Sequence, residues 1–123
     1  MATILVVDDD ANNRLLVKSI LTYDGHTVLE ANDGAEALDR LGREVPNLVI
    51  VDLNMPRVDG VTFVRTVRSN PAFDGVEIAL YTGTALTAAI EDFLDLYRVK
   101  TVIRKPSEPE EVLRLVRAAL PRH

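Results

Sequence analysis

The chain has no cysteine, which excludes disulfides, thiolate metal sites and cysteine nucleophiles and leaves nothing that points to an oxidising compartment. Its apolar runs are only a few residues long, too short to span a membrane. Met1-Ala2-Thr3 leads into the first of them without a basic region or signal-type segment. Net positive charge is lacking too: 14 basic against 19 acidic residues give a formal charge of −5, which argues against nucleic-acid or anionic-membrane binding by the surface as a whole. There is no internal repeat, low-complexity tract or linker. A chain of 123 residues is long enough for one real core and too short for a second. The expectation is one cytoplasmic domain over residues 1–123, with no output domain attached and no nucleic-acid or membrane partner.

What the chain has is a set of short apolar runs, each ending in a polar residue. Ile4-Leu5-Val6-Val7 runs into Asp8-Asp9-Asp10, Leu48-Val49-Ile50-Val51 into Asp52, and Val102-Ile103-Arg104 into Lys105-Pro106. Continuous β-branched and leucine runs suit strands buried on both faces of a parallel sheet. Parallel strands bring their C-terminal ends to one edge, where open α/β sheets bind ligands. Carboxylates gathered there repel one another unless a cation neutralises them, so the cluster reads as a site for a hard metal.

Strand patterns at Thr3–Asp8, Thr27–Ala31, Leu48–Asp52, Glu77–Tyr81 and Thr101–Arg104 alternate with helical patterns at Ala11–Tyr23, Gly34–Arg43, Gly60–Ser69, Ala85–Tyr97 and Glu108–Leu120, which predicts βα units around a parallel sheet. In the first helix Leu16, Val17, Ile20 and Leu21 share a face, with Leu15 opposite. Asp10 is placed as that helix's N-cap. Asp33-Gly34-Ala35-Glu36 and Ser107-Glu108-Pro109-Glu110 resemble capping boxes. His26 and His123 lack a second ligand at useful spacing and are read as structural or exposed. Thr82-Gly83-Thr84 lacks the further glycines of a phosphate-cradling loop.

Asp52 is the sharpest candidate, an available nucleophile or metal ligand at a strand end. Alone, Asp-x-Asn before Met55-Pro56 would be a turn start. Asp8-Asp9, Thr82 and Lys105 at the ends of three other strands favour a shared pocket. These residues, in order, resemble the receiver domain of two-component response regulators, of the stand-alone, chemotaxis-regulator-like kind. The resemblance rests on Val6-Val7-Asp8-Asp9, Ile50-Val51-Asp52-Leu53-Asn54-Met55-Pro56, Asp59-Gly60, Tyr81-Thr82-Gly83 and Lys105-Pro106, and it covers essentially the whole chain.

The resemblance implies a flavodoxin-like, doubly wound five-stranded parallel sheet in the order 2-1-3-4-5. It implies that Asp52 takes a phosphoryl group from a sensor histidine kinase or a histidine phosphotransfer protein. Such a chain is a phospho-acceptor module assisting its own phosphorylation and dephosphorylation rather than an enzyme. Mg²⁺, with its octahedral oxygen shell and retained waters, suits Asp9 and Asp52 as direct ligands, Asp8 through water, and the Asn54 backbone carbonyl. Lys105 and Thr82 would contact the other phosphoryl oxygens. Signalling would pass to a downstream protein or a self-dimer through the fourth helix, fifth strand and fifth helix, the fourth helix carrying a wide apolar arc of Ala89, Ile90, Phe93, Leu94, Leu96 and Tyr97.

Three residues depart from the common pattern: Gly83 where alanine is usual, Val102 where many receivers carry a switch aromatic, and Ser107 after Lys-Pro, read as a helix cap. Lys105-Pro106 is expected to be cis, since proline lowers the penalty to roughly 0.5–1 kcal/mol. Two other readings compete. A haloacid-dehalogenase-like aspartyl-phosphate hydrolase would have a second aspartate where Asn54 stands and a longer chain. A flavodoxin-like nucleotide binder is opposed by the acidic pocket, which would repel a flavin phosphate.

Overall fold

The structure is a computed structural model that describes residues 1–120, so His123 lies outside the described residues. Five strands, β1 (Thr3–Val7), β2 (Thr27–Ala31), β3 (Leu48–Val51), β4 (Glu77–Thr82) and β5 (Thr101–Arg104), alternate with five helices. The helices are α1 (Ala11–Tyr23), α2 (Gly34–Arg43), α3 (Gly60–Arg68), α4 (Ala88–Leu96) and α5 (Pro109–Ala119). All strand pairs are parallel, in the order β2-β1-β3-β4-β5, so the expected flavodoxin-like fold is the one observed. Among the described residues no helix is long and apolar enough to cross a membrane.

Strand alternation divides the core. Ile4, Val6, Leu48, Ile50, Ala79, Tyr81 and Ile103 face the layer that also holds Val17 and Leu21 of α1 and Val112 and Val116 of α5. Leu5, Val7, Val49, Val51, Ile78 and Leu80 face the other layer, with Leu41 of α2, Phe63 and Val67 of α3 and Leu94 of α4. Both faces are therefore covered, and β3 and most of β1 read as unbroken apolar runs for that reason.

The helix starts partly follow the sequence. Asp10 Oδ1 accepts from the Asn12 and Asn13 amides, capping α1 as anticipated. Asp33 Oδ1 accepts from the Glu36 amide, but Glu36 reaches back to the Asn32 amide rather than to Asp33 itself.

Ser107 does not cap α5. Its hydroxyl donates to the Arg104 carbonyl, and the cap position is Glu108, whose side chain makes no capping bond. Pro109 sets this start, because a proline with fixed φ and no N–H favours the first helical position. Helix α4 begins three residues later than expected, since Thr87 Oγ1 accepts from the Ile90 amide and residues 83–87 stay in a loop. Leu16 is a further correction. It lies about 120° from the midpoint of Val17 and Leu21 at 100° per residue, and it is 50% exposed beside Leu15 at 60%. Lys105-Pro106 is cis, as anticipated.

Candidate phospho-acceptor site

Register places the polar strand ends. Val7 pairs with Val51 between β1 and β3, so Asp8 and Asp52, one residue on, are neighbours at the point where strand order reverses, the usual ligand crevice of such sheets. Carboxylate oxygens of Asp8, Asp9 and Asp52 lie within 4.8 Å of one another. Asp8 is the most buried, at 2% exposure, and its Oδ1 accepts from the Asp10 amide at 2.9 Å. Asp52 is half-buried rather than freely exposed, while Asp9 faces solvent. Three hard oxygen donors in an open crevice fit a divalent cation of the magnesium type, which binds through a few carboxylates and keeps several waters.

Lys105 enters from β5. Its Nζ donates to Asp8 Oδ2 at 2.9 Å and to Asp52 Oδ2 at 3.0 Å, supplying positive charge to a crowded acidic pocket. Burial alone would lower the lysine pKa. The hydrogen bonds and charges of Asp8 and Asp52 outweigh that effect and leave it above its ordinary value.

Thr82, the last residue of β4, is fully buried. Its Oγ1 accepts from the Thr84 amide at 3.0 Å, which leaves its own O–H proton free to donate to an incoming oxygen. Asn54 directs its amide N–H toward Asp52 Oδ1 at 3.4 Å, and its side-chain Nδ2 donates to Thr84 Oγ1 at 2.7 Å. Arg104 donates to the Thr84 carbonyl at 2.7 Å. Thr84 therefore joins the loops after β3 and β4 to the end of β5.

Gly60 explains the Asp-Gly pair of the motif. A Cβ at that position would fall 2.3 Å from the Asp52 carbonyl oxygen, so only glycine lets α3 begin against the end of β3. Gly83 carries no such demand, because a Cβ there would meet Lys105 Cβ at an ordinary 3.7 Å.

Tyr81 is part of the site and was not singled out from sequence. The Lys105 ammonium lies 4.9 Å from its ring centroid. Burial pushes the Tyr81 phenol above its ordinary value, with Lys105 pulling the other way. The signal was strand parity: residue 81 alternates onto the same face as Ile103, toward which Lys105 also turns. His26, read as structural, lies far from this edge; its Nδ1 accepts from the Ala2 amide and its Nε2 is 3.3 Å from Asp24 Oδ2.

A parallel 2-1-3-4-5 sheet with three carboxylates and a lysine at the switch point defines an acidic receiver-type pocket. Residues 4–117 match the response regulator receiver domain model, and the chain belongs to that family. Response regulator MprA of Mycobacterium leprae is 35% identical over 97% of this chain and 51% of its own length. The chain thus spans about half the length of the curated relatives it matches. Among solved structures, the chemotaxis protein CheY4 of Vibrio cholerae superposes with TM-score 0.90 at 29% identity, covering 98% of this chain and 99% of that one. A CheY-like receiver domain protein from Methanospirillum hungatei superposes with TM-score 0.87 at 25% identity, covering 96% and 92%.

Proposed function

We propose that the chain accepts a phosphoryl group on Asp52 from a phosphohistidine donor and signals through phosphorylation-dependent protein binding. One observation carries this reading: the Asp8, Asp9 and Asp52 carboxylates converge within 4.8 Å, with Lys105 bonded to two of them. In the transfer an Asp52 oxygen attacks phosphorus. The O–P bond forms as the donor's N–P bond breaks, and the electron pair returns to the imidazole nitrogen, which then takes a proton from solvent. Lys105 pairs with one phosphoryl oxygen and Thr82 donates to another, both acting where charge is handed over. Asp9, Asp52, Asp8 through water and the Asn54 carbonyl would hold Mg²⁺, which when bound neutralises charge on the transferring oxygens.

The donor is a sensor histidine kinase or a phosphotransfer protein, as family membership supports. The exposed Leu15 and Leu16 on α1 are an apolar spot for its docking. We assign the readout to the face of α4, β5 and α5; on its α4 and β5 part a groove of about 570 Å³ is lined by Leu86, Leu94, Val99 and Val102 among charged residues.

The test is labelling with a phosphodonor and Mg²⁺. Acid-stable, base-labile phosphate is expected on the wild-type protein and absent from Asp52→Asn. Labelling of Asp52→Asn at the wild-type rate refutes the assignment. Rapid turnover of a generic phosphate ester would favour the hydrolase reading instead.

A further inference from the structure

Tyr81 is the one aromatic side chain among the described buried residues of the α1/α5 layer; its neighbours there are aliphatic, Ile4, Val6, Ile50 and Ile103 among them. It is 5% exposed, so its ring is almost wholly enclosed. The Lys105 ammonium lies over that ring. Two of its three N–H groups go to Asp8 and Asp52, and the Tyr81 ring centroid is 4.9 Å away. An aromatic face attracts a cation through its quadrupole, more strongly once water is excluded. Here the lysine is partly buried and pairs with carboxylates that any metal or phosphoryl group would also contact.

We propose that Tyr81 is a positioning residue for phosphoryl transfer: its ring holds the Lys105 ammonium at the acceptor while the lysine exchanges a carboxylate oxygen for a phosphoryl oxygen. The proposal rests on Asp52 being the acceptor. Tyr81 makes and breaks no bond and passes no proton in this step. Its hydroxyl is therefore dispensable and its ring is not.

The experiment compares phosphorylation by acetyl phosphate and Mg²⁺ in Tyr81→Phe, Tyr81→Leu and Tyr81→Met, each also combined with Lys105→Ala. The carbon-bound ε protons of Lys105 are followed by NMR in the wild type. Phe is expected to keep the rate within about twofold. Leu and Met are expected to slow it by about three- to thirtyfold, the range of a cation–π contact converted to rate. Neither should slow the reaction further once Lys105 is gone. In the wild type the lysine ε protons should be shifted upfield by the ring, and this shift should vanish with Leu.

Equal slowing by Phe and Leu, slowing that persists in the Lys105→Ala background, or no slowing at all would overturn the proposal. So would ε protons at their ordinary position, which can be read whether or not any substituted chain folds. Absence of phosphate on Asp52 in the wild type is a separate outcome. It removes the acceptor reading, and this proposal with it, even where the ring shift is present.

Discussion

The Asn54 side chain donates to the Thr84 hydroxyl across 2.7 Å, joining the loop that follows Asp52 to the loop that follows Thr82. Thr84 also donates its amide to Thr82 and accepts from Arg104. Any movement of Thr82 toward a new oxygen therefore pulls on residues 83–87. Thr84→Val keeps the shape and removes the hydroxyl. Stability should fall by about 0.5–1.5 kcal/mol, the net worth of one hydrogen bond, and amide exchange should quicken at Gly83–Thr87. Unchanged exchange there would mean that the tie does not restrain the loop.

Lys105 is the second expectation. Lys105→Met leaves Asp8, almost wholly buried, and Asp52 without their shared cation, and an unpaired buried charged group costs about 1–3 kcal/mol or more. Melting in EDTA should show that loss. Millimolar Mg²⁺ should raise the melting temperature of the variant more than that of the wild type, since a ligand that binds the folded state stabilises it by mass action. Equal Mg²⁺ gains in both proteins would contradict a shared carboxylate site.

Leu15 and Leu16 separate docking from chemistry. Both project from α1 into solvent, so replacing either with alanine should change stability by less than about 0.5 kcal/mol. Phosphotransfer from a cognate phosphohistidine protein should slow, while labelling by acetyl phosphate should not. Equal slowing with both donors would point to a folding defect.

The pH expectation concerns the edge away from the site. The Arg117 hydrogen bond holds the Asp24 carboxyl below its ordinary 3.8, against burial that raises it, and His26 adds to the lowering. A depressed carboxylate stabilises the fold at pH above its unfolded value, and that contribution is lost as pH falls through the folded value. Asp24→Asn should therefore cost about 0.2–1 kcal/mol at neutral pH, the range of an exposed ion pair. The difference from wild type should shrink as pH drops below 3.8. A difference that persists at low pH would assign the effect to packing.

Much of this was legible from sequence because buried parallel strands advertise themselves as apolar runs, and their last residues must then meet at one edge. Asp8, Asp52 and Lys105 were placed that way. Two of the misses share a cause, competition among local hydrogen bonds that residue type alone does not rank. Ser107 could cap a helix or fold back on Arg104, and Pro109 decided it. Thr87 could lie inside α4 or cap it from the loop before it. Leu16 sat at the margin of a helical face, where a few tens of degrees decide between core and solvent. Tyr81 looked like one more strand residue until the register showed which cation lay over its ring.

The most direct measurement is the mass map of wild-type protein after incubation with acetyl phosphate and Mg²⁺. The account predicts a single phosphoryl addition on the peptide containing Asp52, labile to base. Addition at another residue, or no addition with Mg²⁺ present, would contradict it.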